Sequence, residues 1–199
     1  MTNINQSEKQ KFLSVFNGQQ KIWVLAYGSL LWNPGFSPLR QENVSIRGFR
    51  RSFCLYSIHY RGSIENPGLV LGLRPGGYME SIALEVSAEN AYQVMAYLWD
   101  REMISRAYLP CVLYGYSRRF NQPLCCYSFV IDSNHEQYAG HLNDQQKIDL
   151  ICQAKGTGGD NIEYLLKTAE SLRQHHIQDD EIETLLKMLD ASRRRDLTI

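Results

Sequence analysis

The chain has 199 residues, 44% hydrophobic and 21% charged, which is enough apolar material for one domain with a real core. Its 21 basic residues balance 21 acidic ones, so no net field draws it to nucleic acid or to an acidic membrane. No run reaches the roughly 18 apolar residues of a membrane span, and the opening MTNINQSEKQKFLSVFNGQQ lacks the h-region and cleavage site of a secretory signal; a cytoplasmic protein is expected.

Residues 1–20 read as a polar lead-in with a short helix over 8–16. Strands are expected at 21–27, at 44–60 as one long strand or two, at 69–73 and at 81–86. In the last of these Ile82, Leu84 and Val86 alternate as in a half-buried strand. Turn residues separate them at Asn33-Pro34-Gly35, at 61–68 and at Pro75-Gly76-Gly77. Ser87 stands where an N-cap belongs, and AENAYQVMAYLWDREM follows with helical spacing. Ala91, Val94, Met95, Leu98 and Trp99 share one face. Strands at 109–116 and 124–131 flank a turn at Asn121-Gln122-Pro123. The last third is helical. A helix over 145–155 is ended by Gly156, one over 161–175 is capped by Asp160, and one over 180–191 is capped by Asp179 and carries Ile182, Leu185, Leu186 and Leu189 inward. Strands gathered first and helices last argue for an α+β fold. One domain over 21–192 is expected, with a polar tail over 193–199 whose Arg193-Arg194-Arg195 run suits a solvated helix end.

Five cysteines (Cys54, Cys111, Cys125, Cys126, Cys152) are an odd number without CxxC spacing, and read as reduced core residues. No metal site is legible: the histidines lack ligand spacing, and His175 and His176 are neighbours on a helix, pointing apart. Ser29, Ser57 and Ser105 lie in no G-x-S-x-G elbow.

Two stretches carry chemistry. The strand that stops at Tyr27-Gly28-Ser29 is either a plain turn or a cradle whose backbone amides converge on a carboxylate or phosphate, with Gly28 allowing close approach. It is no P-loop, since no Lys-Ser/Thr follows the glycine. At the end of the helix, Glu102 lies four residues after Leu98 and so on the apolar side. A carboxylate aimed inward at a helix C-terminus is disfavoured by the dipole and by desolvation. It is either a general base or the partner of Arg101, Arg106 or another surface arginine. Arg50, Arg51 and Arg61 either take a substrate carboxylate or face water. Tyr27, Tyr108 and Tyr164 are either pocket donors or core tyrosines.

Taken together the stretches resemble one family. WVLAYGSLLWNPGF is similar to the W-V-F-G-Y-G-S-L-x-W opening of the ChaC-like γ-glutamylcyclotransferases, and LWDREMISRAYLP to the segment around their catalytic glutamate, about 75 residues on. Arg-x-Phe-Cys at 51–54, Pro67-Gly68, Asn161-x-Glu-Tyr-Leu and Gln178-Asp179-Asp180 extend the resemblance over roughly 21–190. It implies a small, mixed, partly closed β-barrel with surrounding helices, and cleavage of glutathione to 5-oxoproline and Cys-Gly without metal or cofactor. By resemblance the backbone of Ala26, Tyr27, Gly28, Ser29, Leu30 and Leu31 holds the γ-glutamyl head and Glu102 is the proton acceptor. Tyr27 is expected to steady the oxyanion. Two departures stand out: Ala26 replaces the usual glycine, and Ile104-Ser105 replaces a Gly-Gly of many eukaryotic members. Other γ-glutamyl amines or dipeptides are the alternative substrates, and a non-catalytic protein linked to cation transport the alternative class. A monomer is expected, because no heptad seam is legible.

Overall fold

A computed structural model describes residues 2–18 and 20–196; residues 1 and 19 of the lead-in and 197–199 of the tail lie outside the described residues. Helix α1 (Thr2–Leu13) precedes strand β1 (Ile22–Ala26), a 3-10 turn (Ser29–Leu31), and the long strands β2 (Arg40–Ser57) and β3 (Gly68–Val86). Helix α2 (Ala91–Glu102), strands β4 (Tyr108–Ser117) and β5 (Gln122–Ile131) and helix α3 (Asp144–Gln153) follow. A two-residue hairpin, β6 (Lys155–Gly156) and β7 (Gly159–Asp160), leads into α4 (Asn161–Gln174) and α5 (Asp180–Asp196).

The first five strands close into a mixed barrel in the order β1-β3-β2-β4-β5. Two seams are short. β1 meets β5 in parallel only at Trp23↔Cys126 and Val24↔Tyr127, and β2 meets β4 only at Val44↔Ser117 and Ser45↔Tyr116. The long β2–β3 pair, from Arg40↔Glu85 to Ser57↔Gly68, carries most of the wall. Leu25, Ile46, Phe53, Leu69, Leu71, Leu73 and Ile82 fill the core of the molecule.

Several expectations are corrected here. The region 68–86 is one strand, and Pro75-Gly76-Gly77 does not end it. Gly76 (φ 86°) and Gly77 (φ 93°) take left-handed backbone opposite Gly48 (φ 85°), where the β2–β3 register shifts between Arg47 and Phe49. Glycine permits a bulge there that side chains would resist. Residues 75–78 are exposed, so the bend shows the loop-like composition that hid it. Ser87 is not the N-cap of α2: Asn90 is, and the Ser87 hydroxyl instead accepts from the Asn90 amide at 3.3 Å across a preceding turn. The lead-in helix starts earlier than 8–16 and is tied to the domain. Phe12 packs against Trp99 at 4.9 Å, Phe16 meets Tyr127 edge-on at 4.7 Å, and Lys9 pairs with Asp100 at 2.6 Å. The final helix runs past 191 to Asp196, taking in part of the expected tail.

The predicted inward face of α2 is the observed one: Ala91, Val94, Met95, Leu98 and Trp99 are buried. Asp179 caps α5, its carboxylate accepting from the Ile182 amide at 3.1 Å. Among the described residues no helix is long and apolar enough to cross a membrane.

Candidate active site

β1 ends against the barrel core, and the chain then folds back sharply. The Leu31 amide donates to the Gly28 carbonyl at 2.9 Å and the Asn33 amide to the Ser29 carbonyl at 2.8 Å, closing the turn. The amides of Gly28, Ser29 and Leu30 open it, as the first N–H groups of any helical turn do, and have no acceptor among the described residues. Gly28 is needed for closeness: a Cβ there would sit 3.2 Å from the Tyr164 hydroxyl and 3.5 Å from Leu71 Cβ. Beneath the turn, buried Arg51 donates from Nε to the Tyr27 carbonyl at 2.5 Å, from Nη1 to Asp179 at 2.8 Å and from Nη2 to the Glu80 carbonyl at 3.1 Å. The Ser81 hydroxyl takes the Ala26 carbonyl at 2.7 Å. The turn is therefore clamped by its carbonyls while these three amides stay unspent among the described residues.

Glu102 is the last residue of α2, and only 17% of its side chain is exposed. Burial raises its carboxyl above the ordinary carboxylate value, and neighbouring Arg101 opposes that rise. Arg101 Nε lies 3.3 Å from Glu102 Oε1. The other arm of Arg101 reaches the turn, donating from Nη2 to the Ser29 hydroxyl at 2.7 Å and from Nη1 to the Asn33 carbonyl at 2.7 Å. Glu102 and the turn are thus joined by a single guanidinium.

Three buried tyrosines share the field of the Glu102 carboxylate, and burial, the larger cause, pushes all of them up. Their hydroxyls are committed differently. Tyr27 donates to the Phe129 carbonyl at 2.9 Å and Tyr108 to the Leu71 carbonyl at 2.7 Å. The Tyr164 hydroxyl accepts from the Leu71 amide at 3.4 Å, and its own proton has no acceptor among the described residues.

Of the stretch singled out in the sequence, Tyr27 to Leu30 and Glu102 gather at this end of the barrel, bridged by Arg101. Ala26 is a strand residue paired with Ile82, its methyl fully buried in the core, and its φ is not positive, so the backbone there does not require glycine. The Leu31 amide is spent within the turn. Arg51 and Arg61 are buried rather than surface arginines, whereas Arg50 is exposed. Arg61 donates to Glu163 at 2.8 Å and lies 5.9 Å from the Trp32 ring and 5.7 Å from that of Tyr164. Sequence reasoning gave Arg101 no role beyond an ion pair, and its position one residue before an inward carboxylate was the available signal. It also favoured the Tyr27 hydroxyl over that of Tyr164, and no periodicity distinguishes a spent hydroxyl from an unspent one.

All five cysteines are free, but Cys125 and Cys152 are exposed and so are not core residues. Burial holds the Cys54 and Cys126 thiols up at about 12, where they are poor nucleophiles. Among the described residues no group of three or more His, Cys, Asp or Glu side chains could hold a metal ion. A surface cavity of about 330 Å³ lies elsewhere, among Ile148, Cys152, Ile162, Met188 and Leu189 of the terminal helices.

The architecture is that of a γ-glutamyl cyclotransferase barrel: a crystal structure of a glutathione-specific γ-glutamyl cyclotransferase from yeast superposes with a TM-score of 0.80 at 21% identity, over 87% of this chain and 97% of that one. The family model described as ChaC-like protein matches residues 22–192. A glutathione-specific γ-glutamylcyclotransferase of Escherichia coli K12 is 33% identical over 83% of this chain and 71% of its own length. A zebrafish relative, glutathione-specific γ-glutamylcyclotransferase 1, is 31% identical over 78% of this chain and 81% of its own. The chain belongs to the ChaC-like family.

Proposed function

We propose that this protein cleaves glutathione by intramolecular cyclisation, releasing 5-oxoproline and Cys-Gly. The observation that carries the reading is the pairing of three unspent amides, at Gly28, Ser29 and Leu30, with a desolvated carboxylate that Arg101 joins to the same turn. The naming of the E. coli and zebrafish relatives as glutathione-specific supports the substrate.

In this reading the three amides take the substrate's α-carboxylate. Glu102 accepts a proton from the α-ammonium, which cannot attack while protonated. The amine nitrogen then bonds to the γ-carbonyl carbon, closing the lactam ring and placing negative charge on the carbonyl oxygen. The Tyr164 hydroxyl, whose proton is uncommitted, is the donor suited to that oxygen; Tyr27 is already engaged. Collapse breaks the bond to the cysteine nitrogen, which takes the first proton back from Glu102; the carboxylate so restored accepts the surplus proton of the ring nitrogen and passes it to the departing amine, which leaves as an ammonium. Because nucleophile and electrophile belong to one molecule, holding them together supplies on the order of 7–11 kcal/mol of the barrier. No nucleophile from the protein is required.

With this reading go a single working domain over 21–192, a monomer, since no heptad seam is legible, and the reducing cytoplasm, where unpaired cysteines persist. The test is 5-oxoproline release from purified protein given glutathione, beside γ-glutamyl dipeptides and amines. Release from glutathione alone supports the assignment; release only from the others moves the substrate, and no release from any overturns the reaction.

A further inference from the structure

We propose that Arg101 is a positioning residue, which holds the end of α2, and Glu102 with it, at a set distance and angle from the substrate-binding turn. The proposal rests on the cyclotransferase reading of this site.

Glu102 sits where a helix is least constrained. The Met103 amide closes the last turn on the Trp99 carbonyl at 2.9 Å, and the segment after it is irregular, with Ile104 exposed and Arg106 at φ 58°. A base on such an end needs an external brace. Arg101 supplies one through acceptors on both sides of the gap. Nη2 donates to the Ser29 hydroxyl at 2.7 Å, and Nη1 donates to the Asn33 carbonyl at 2.7 Å, so the turn is gripped at both of its ends. Nη1 also reaches the Tyr97 hydroxyl, one helical turn back, at 3.0 Å, which fixes the fork against its own helix. Nε remains for Glu102, at 3.3 Å.

This is more than a counterion needs and different from what packing needs. A cation present only to neutralise Glu102 would require one contact, and lysine would serve. Here a planar fork spends its arms on the turn and leaves a long contact to the carboxylate, a geometry that lysine's single ammonium cannot reproduce. The side chain is 19% exposed and bonds to protein atoms with both arms, so it acts on the reaction through Glu102 and Ser29. Because cyclisation depends on alignment, a displacement of about 1 Å costs on the order of 10²-fold in rate.

The experiment measures kcat and KM for 5-oxoproline release from glutathione across pH, for wild type, Arg101→Lys and Arg101→Met, with the unfolding midpoint of each to correct for folded fraction. Both variants should lose on the order of 10²-fold in kcat per folded molecule. In Arg101→Met the acid limb of the profile should also move to higher pH, because the cation that favours ionised Glu102 is gone. In Arg101→Lys the limb should stay near wild type while the rate remains low, which separates the fork from the charge. Wild-type kcat in Arg101→Lys would overturn the proposal, as would an Arg101→Met enzyme with an unmoved acid limb and a loss matching only its unfolded fraction. A wild-type protein that releases no 5-oxoproline overturns the cyclotransferase reading and this inference with it, and that failure is visible before any substitution is made.

Discussion

Glu102 and Glu181 are both helix carboxylates turned into the molecule, and they are partnered in opposite ways. Glu181 stands in the first turn of α5, where the dipole favours an anion. It accepts from the Phe53 amide at 2.7 Å, from the Ser52 hydroxyl at 2.8 Å and from Lys147 Nζ at 3.0 Å. Glu102 ends α2, where the dipole opposes it, and has one ion-pair contact at 3.3 Å. The two are similarly covered, at 20% and 17% of the side chain exposed. Burial alone therefore does not separate the two carboxylates. What separates them is how many donors the fold has aimed at the carboxylate, since each donor that favours the anion weakens it as a proton acceptor.

The arginines repeat the contrast. Arg51 is nearly sealed, with 1% of its side chain exposed, and spends its guanidinium on Asp179 and on carbonyls under the turn. Arg101 lies at the edge of the site and joins two elements. One network holds the turn by its carbonyls; the other links the turn to the end of α2.

The strongest way to break this comparison is Glu102→Gln. We expect 5-oxoproline release to fall by on the order of 10²–10⁴-fold, while the unfolding midpoint at neutral pH rises. The sign follows from the raised carboxyl of Glu102. The folded state binds the proton more tightly than the unfolded chain, so ionisation costs stability as pH rises above the unfolded value of about 4.3. The gain in the variant should thus be present at neutral pH and disappear below about pH 4. A midpoint that drops at neutral pH would make Glu102 a strut like Glu181.

Next in size, Tyr164→Phe should lower kcat by on the order of 10²-fold, the effect of losing one oxyanion donor. Tyr27→Phe should instead cost about 1 kcal/mol of stability, from its lost bond to Phe129, with kcat nearly kept. Equal kcat losses in the two variants would show that the hydroxyls are not divided as proposed.

Glu181→Ala should do the reverse of Glu102→Gln. It strands Lys147 and the Phe53 amide and should cost about 3 kcal/mol in denaturant unfolding, with kcat per folded molecule unchanged. The smallest effect is expected at Glu163, which hydrogen bonds from Lys167 and then Arg61 hold down at about 2. Its contribution is fully present above about pH 4.3 and is lost as pH falls toward 2. Glu163→Gln should accordingly lower the unfolding midpoint at neutral pH and make no difference near pH 2, a pH dependence opposite in sign to that of Glu102→Gln.

Much of this was legible along the chain. The spacing of Leu98 and Glu102 places the carboxylate on the buried side of α2, because a helix brings residues four apart onto one face whatever surrounds it. The stop at Tyr27-Gly28-Ser29 marks the turn, because glycine lets the backbone, Tyr164 and Leu71 come this close. The ordered matches around both segments identify the family. Local pattern failed where a residue's meaning depends on what lies across the fold. Pro75-Gly76-Gly77 reads as a loop, yet Gly48 opposite turns it into a bulge within one strand. Phe12 and Phe16 sit in polar sequence, yet Trp99 and Tyr127 draw them in.

The sequence by itself determined the chemistry available, namely an inward carboxylate at the end of α2, a glycine turn and the helical and strand periods that carry them, since these depend on near neighbours. Only the tertiary structure decided which groups are left uncommitted. Arg51, Tyr27 and Glu181 are satisfied by partners 24 to 129 residues away, while Tyr164's proton and the turn amides are not. Whether a polar group is spent depends on partners distant in sequence, and those meet only when the barrel closes.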